Sequence, residues 1–359
     1  MVSELIEKSI LDVFHYFSIF NYPPTLEEIH TFLKKKTSKR HLVSILEKME
    51  KKSLVKSYKL DGRGWKMEDG GLRMDDGRLK KKQEFFLPST FYPLSSSDKL
   101  PRYTLGEYKS TNNYKFLITN YEKRLKTSLN KIKRVRLYLK LLSYFPQIKL
   151  IGLSGSVAML NADENHDVDL FIITAKNRLW TGRFVALVLA QLLGLRRKRD
   201  EARPIFSLPV IKIAAGVSLN HKNKVCLNLF FDESAVGVPK FKQSEYVAHE
   251  VLQMKPFVEK NGVYMSFIDA NRWVFDIFPN ARKVFSIKYK VSSIKNKNSP
   301  FSILNTKYLI LNTIADKTEQ LLKSFQLFFI NRHRTNEIVT ESQLWFHPED
   351  FEKKIKDCI

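Results

Sequence analysis

The sequence predicts a multidomain α+β protein, and three observations carry that prediction. At 359 residues the chain exceeds what one hydrophobic core ordinarily organises, so two or three domains are expected. Apolar residues recur at helical spacing near the N-terminus and again beyond Val236, whereas short apolar runs of strand character occupy the middle. One such run, Ile148 to Leu153, leads into Gly155-Ser156, and another is headed by two aspartates one residue apart, Asp167 and Asp169.

Composition bounds the function. Hydrophobic content of 43% is enough to build packed cores and excludes a disordered chain. The formal charge of +24 predicts attraction to polyanions, whether nucleic acid, nucleotide phosphates or anionic lipid. Lys-rich usage runs along the whole chain, so charge alone does not choose among them. The only cysteines, Cys226 and Cys358, fit a reducing compartment. Met1 to Lys8 lacks the basic-then-apolar design of a secretory signal. The longest apolar window, Phe184 to Leu195, contains Gln191 and falls short of the roughly 20 residues of a membrane span. A soluble cytoplasmic protein without a membrane partner is expected; nothing in the pattern sets an oligomeric state.

Leu5, Ile6, Ile10, Val13, Phe14, Phe17 and Phe20 are spaced for an amphipathic helix over residues 4–20, which Asn21-Tyr22-Pro23-Pro24 stops. Thr25 and Glu28 can form a capping box for a second helix reaching about Leu33. A third helix, from about Ser38 to Lys52, places Leu42, Ile45, Leu46 and Met49 on one face. Leu54 to Tyr58 reads as a strand, and the Gly-rich, mixed-charge residues 62–83 as a long hairpin or loop. Three short helices, a strand and a Gly-rich loop resemble a winged helix, assigned to residues 1–87. In that fold the third helix usually enters a DNA groove, and Lys39, Arg40, His41, Lys48, Lys51 and Lys52 suit phosphate contact. Winged helices also serve as docking modules for proteins.

Residues 88–112 are polar and aperiodic and are expected to be a linker. Asn112 or Asn113 can cap a long helix to about Leu142, with an apolar stripe from Phe116 and Leu117 to Leu139 and Leu142. Its other face is basic, Lys131 and Arg134 included, and fits either a solvated surface or an electrostatic track for nucleic acid. A helix over 179–195, a strand Leu208 to Val217 and a strand Lys224 to Phe231 follow. The long helix leads a central domain over 113–235, and a helical domain over 236–359 closes the chain. His249-Glu250 begins like a zinc-binding His-Glu-x-x-His, but the second histidine is replaced by Gln253, so no metal is expected there.

The central stretch carries the chemistry. Gly155 permits a sharp turn out of a strand, and Ser156 stands at the start of a short helical segment, where backbone N–H groups suit a phosphate. Ten residues separate Ser156 from Asp167. On a strand from Asp167 to Thr174 both carboxylates point the same way. Like charges so close call for a cation, and paired carboxylate oxygens beside a phosphate are what Mg²⁺ prefers.

This Gly-Ser, ten-residue, Asp-Val-Asp arrangement resembles the signature of the nucleotidyltransferase superfamily, the fold of polymerase beta and of CCA-adding enzymes. The resemblance implies transfer of a nucleoside monophosphate from an NTP, ATP foremost, to an acceptor. It implies Mg²⁺ or Mn²⁺ held by Asp167 and Asp169, and a triphosphate cradled by Gly155 and Ser156. Arg178 and Arg183, near the start of the next helix, are further candidates for the triphosphate. The family usually adds a third carboxylate from a later strand, and here that position carries Asn228. An amide oxygen can ligate a metal but adds no charge and accepts no proton. Asp232 shares its parity yet lies about 13 Å further along the strand. Asp163, Glu164 or His166 could lend a ligand or base from the preceding loop. The alternative to an enzyme is a nucleic-acid-binding regulator that keeps an impaired transferase fold for nucleotide sensing or structure.

Overall fold

A computed structural model describes residues 2–58, 65–68, 71–74, 101–106, 111–196, 224–285, 306–332 and 337–346. The expected strand at 208–217 lies outside them. Helix and sheet are both extensive, in keeping with an α+β chain.

Helix α1 (Val2–Ile19) buries Ile6, Ile10, Val13, Phe14 and Phe17 of the predicted stripe, whereas Leu5, expected on the same face, is exposed. Asn21, in a left-handed conformation, and the following prolines end it. Helix α2 (Leu26–Phe32) opens on the expected capping box, with the Thr25 N–H donating to Glu28 Oε2 at 2.8 Å and the Glu28 N–H to Thr25 Oγ1 at 3.3 Å. Helix α3 (Lys39–Lys51) is capped by Ser38 and buries Leu42, Ile45, Leu46 and Met49. Strand β1 (Val55–Tyr58) follows, then a hairpin of β2 (Trp65–Glu68) and β3 (Gly71–Met74).

Residues 102–105, expected to be linker, form strand β4 (Arg102–Leu105), antiparallel to β1. Four residues are too few for an alternation to be read, and the anchor is a cation. Arg102 is buried, donates to the Pro23 carbonyl at 2.7 Å and lies 4.3 Å from the Tyr121 ring centroid.

Helix α4 (Thr111–Ser143) runs beneath the main sheet and buries Leu125, Leu129, Ile132, Val135, Leu139 and Leu142. Strand β5 (Ile148–Leu153), the one-turn helix α5 (Gly155–Ala158), strand β6 (Val168–Thr174), helix α6 (Leu179–Leu192) and strand β7 (Val225–Asp232) fall where the sequence places them, to within a few residues. Helix α7 (Glu245–Gln253) comes next.

The chain after Val236, expected to be helical, also contributes strands. Strand β8 (Lys255–Glu259) pairs antiparallel with β5; α8 (Val263–Ala270), α9 (Val274–Ile277) and the long α10 (Thr306–Arg332) follow. Strands β9 (Ile338–Val339) and β10 (Gln343–Trp345) then extend the sheet beyond β7. The six-stranded sheet has the order β8-β5-β6-β7-β10-β9, mixed, with β6 and β7 parallel.

Strand parity divides the core into two layers. Ile151, Leu153, Leu170, Ile172 and Phe230 face α4, α6 and α10. Leu150, Phe171, Ile173 and Phe231 face a second layer, in which the N-terminal helices and α7 to α9 share one core. His249 of α7 is stacked there between Tyr16 (3.6 Å between centroids) and Phe32 (4.3 Å). Asn280 receives the Thr37 N–H at 3.0 Å and donates to the Lys35 carbonyl at 2.9 Å. No helix among the described residues is long and apolar enough to cross a membrane.

Candidate active site

The chain leaves β5 through Ser154 and Gly155 beside the head of β6, to which β5 is antiparallel. The Ser154 N–H donates to the Asp169 carbonyl at 3.1 Å and ties the turn to the doublet strand. Gly155 has φ +59°, and a Cβ there would lie 2.9 Å from Asp169 Oδ2. Glycine is required twice over: by the left-handed backbone and by the approach of the carboxylate.

Asp169 shares the parity of Phe171, whose ring lies in the layer containing α7, whereas Asp167 precedes the first residue of β6 and its charge is felt by Lys131 of α4. Both aspartates are half-buried. Asp167 Oδ1 accepts the Lys224 N–H at 3.2 Å. The loop that delivers the doublet is held by Lys131, which sequence places on the solvated basic face of α4. Its residue is in fact 1% exposed, and Nζ donates to the carbonyls of Glu164 (3.0 Å) and His166 (2.6 Å). Burial pushes the ammonium's pKa down, against the pull of Asp167 and Asp163.

Ser156 is flanked by the loop it precedes. His166 Nδ1 lies 3.1 Å from Ser156 Oγ, and His166 Nε2 lies 3.4 Å from Asp163 Oδ2. Burial raises the Asp163 pKa, but the N–H groups of Asn165 and His166, together with the His166 ring, hold it below the usual carboxylate range. Asp163 and His166 thus orient Ser156; Glu164 points a carbonyl at Lys131 and its carboxylate at Lys123, 3.8 Å away.

Strand β7 sets Cys226 opposite Asp169, and the register then shifts so that Leu229 stands opposite Phe171. The extra residue is a bulge at 227–228, and it leaves Asn228 on the doublet's side, with Nδ2 donating to Cys226 Sγ at 2.7 Å. Asp232 lies at the far end of β7, buried, where Oδ2 accepts the Asn177 N–H at 2.6 Å. It caps a turn and cannot stand in for Asn228.

Arg178 and Arg183 are not brought to the doublet. They lie beyond the opposite end of β6, on the layer of α6 and α10. Arg178 donates to Asp316 at 2.7 Å; Arg183, half-buried, donates to Gln326 at 2.7 Å and sits over the Phe346 ring. Glu319 of α10 receives the Trp180 N–H at 2.6 Å, so the start of α6 is filled by a carboxylate of the chain itself. Proximity in sequence to β6 suggested phosphate contact, but α6 starts at the wrong end of that strand.

One residue near the site was set aside by the sequence reading, as part of the incomplete zinc motif His249-Glu250. Glu250 of α7 has its pKa pushed up to about 7 by burial and then by the Asp169 carboxylate, against the pull of the Gly155 N–H. A signal existed: Val247, Glu250, Val251 and Met254 follow helical spacing, so the carboxylate interrupts a buried stripe. His249, its neighbour, points instead into the aromatic core.

Among the described residues no three His, Cys, Asp or Glu side chains converge as a metal cluster as they stand. The Asp167 carboxylate instead accepts the backbone N–H of Lys224. Hard oxygen donors around a glycine cradle that a Cβ would fill nonetheless match the chemistry of Mg²⁺ and Mn²⁺. No protein-family model, curated protein or solved structure matches the chain.

Proposed function

We propose that the chain is a divalent-metal-dependent nucleotidyltransferase that moves a nucleoside monophosphate from an NTP, ATP foremost, to an acceptor hydroxyl. The observation that carries this reading is the closure of the Gly155 turn on Asp169, whose Oδ2 lies 2.9 Å from where a Cβ would stand. A turn without a side chain leaves room for phosphate oxygens directly beside a cation ligand. Asp167 and Asp169 would hold the cation, with the Asn228 amide oxygen as a further hard donor. The bound cation would supply charge neutralisation of the triphosphate and of the leaving pyrophosphate. Ser156 Oγ, positioned by His166, can donate to a phosphate oxygen. The N-terminal helices with the β2–β3 hairpin are read as a winged helix, followed by the transferase sheet and a largely helical tail.

A second reading is favoured by Asn228. Its amide contributes no charge where a third carboxylate is expected, which would suit a regulator that senses nucleotides and binds nucleic acid. The exposed face of α3 carries Arg40, His41, Lys48 and Lys51, with Glu47 and Glu50 among them.

Incubating the protein with each labelled NTP, Mg²⁺ or Mn²⁺ and candidate acceptors tests the first reading. Label transfer that disappears in Asp167→Ala/Asp169→Ala is expected. Transfer that survives the double substitution refutes the site, and absence of nucleotide and metal binding refutes the enzyme. In that event a DNA mobility shift that weakens steeply with salt supports the regulator.

A further inference from the structure

We propose that the solvent face of α4 is a binding surface for single-stranded nucleic acid. The inference goes beyond the nucleotidyltransferase reading and does not depend on it. Helix α4 carries nine basic residues against one acid, Glu122. Two of the nine are engaged inside the fold: Lys131 on the carbonyls of Glu164 and His166, and Arg124 on those of Phe20 and Asn21, at 3.3 Å each. Lys123, Lys126, Lys133, Arg134 and Lys140 are exposed. Helical geometry sets these five within one arc of about 120°, in a row about 25 Å long.

Among the described residues, Lys123 is the one member of the row that meets an acid, Glu164 at 3.8 Å. Helix α3 differs in this respect. Its exposed basic residues alternate with Glu47 and Glu50, while Lys39 pairs with Glu27 and Lys52 with Glu7. The uncompensated positive surface therefore lies on α4, not on the helix that a winged helix would offer to DNA.

The shape of the row selects the polyanion. A membrane-surface helix needs a continuous apolar strip to insert. The apolar side of α4 is buried against the sheet, and the large apolar side chains left in the exposed arc, Phe116 and Leu137, stand about 30 Å apart along the helix. The row ends instead on two exposed rings, Tyr144 (68% exposed) and Phe145, beside Lys260, whose Nζ donates to the Phe145 carbonyl at 3.0 Å. Phosphates along the row and an unstacked base on the rings fit a single strand, whereas a duplex keeps its bases stacked away from such rings. At the other end Lys123 meets the loop of Asp163 and His166, so a strand lying on α4 would arrive at the candidate active site.

The test is fluorescence anisotropy of a labelled oligothymidine titrated with the full chain over a salt series, without nucleotide or metal. The variants are Lys126→Gln/Lys133→Gln/Lys140→Gln on α4, Tyr144→Ala, and, as a charge-matched control, Arg40→Gln/Lys48→Gln/Lys51→Gln on α3. All seven side chains are exposed, and thermal melts that match wild type establish that each variant is folded. Expected is at least a tenfold loss of affinity in the α4 variant. Its slope of log affinity against log salt should be shallower by about 2, at about 0.7 for each phosphate contact removed. Y144A should lose about fivefold or more at unchanged slope, because stacking releases no counterions. The α3 variant should stay within about twofold of wild type. Equal losses in the α3 and α4 variants reduce the effect to net charge and overturn the inference, as does an α4 variant within about twofold of wild type. A duplex bound as tightly as the single strand overturns the choice of a single strand. Capture by phosphatidylserine vesicles without oligothymidine binding overturns the inference in favour of lipid.

Discussion

Gly155→Ala is the substitution from which the site can be judged most directly. The left-handed backbone at φ +59° costs an alanine about 1–2 kcal/mol. The new Cβ would also lie 2.9 Å from Asp169 Oδ2, so the carboxylate must turn away, at about 0.5–1.5 kcal/mol for an off-rotamer side chain. The sum, roughly 1.5–3.5 kcal/mol, leaves a protein of this size folded but lowers its melting temperature by several degrees. The second contribution falls on a cation ligand. A displaced Asp169 should cost at least tenfold in Mn²⁺ affinity, which is about 1.4 kcal/mol.

Gly262 supplies the control. It has φ +72° and nothing within 4 Å of an added Cβ, so Gly262→Ala carries the backbone strain alone. Thermal melts and Mn²⁺ titration on both variants separate the contributions. Both should melt below wild type, G155A by more, and only G155A should lose Mn²⁺. If G155A binds Mn²⁺ like G262A, the contact between the turn and Asp169 has no part in a cation site. The reasoning that joins Gly155 to the doublet then fails.

Two further outcomes are expected. Lys131→Met should destabilise the chain by about 2–4 kcal/mol, because the carbonyls of Glu164 and His166 lose a buried cationic donor, and amide exchange should rise in residues 163–166; unchanged exchange there would show that the loop is held by something else. Acid should weaken the fold through His249, whose folded-state pKa burial and Lys34 hold well below its usual value. The unfolded chain then takes up the extra proton, so stability is complete above about pH 6.5 and declines as the pH falls below it; melting temperatures between pH 5 and 8 for wild type and His249→Phe measure this, and an equally steep acid limb in the variant would refute it.

Long periodic elements and the turn chemistry of the central stretch were legible from the residues. The stripe of α1, the capping box at Thr25 and Glu28 and the Gly155 turn rest on local rules that tertiary packing does not overturn. What was not legible depends on contacts distant in sequence. Strands β4, β10 and β9 are two to four residues long and exist because β1, β7 and β10, respectively, offer them an edge. Lys131 reads as one more surface lysine until the carbonyls of residues 164 and 166 are seen to lie over it. Arg178 and Arg183 follow β6 closely in sequence, but the strand separates its two ends and α10 supplies their partners.

Glu250 shows where the boundary between those two kinds of information falls. Helical spacing alone marks it as a charge in a buried stripe, but only the sheet order places that stripe against β5, because β8, directly after α7, pairs with β5. The short connection from Gln253 to Lys255 therefore fixes which end of β5 the helix covers. On the same helix His249 is clamped between Tyr16 and Phe32, while the adjacent Glu250 has its pKa raised by burial and by the Asp169 charge. Adjacent helical residues cannot move independently, so a shift of α1 and α2 on the α7 face must be taken up by Glu250 or by the aromatic stack.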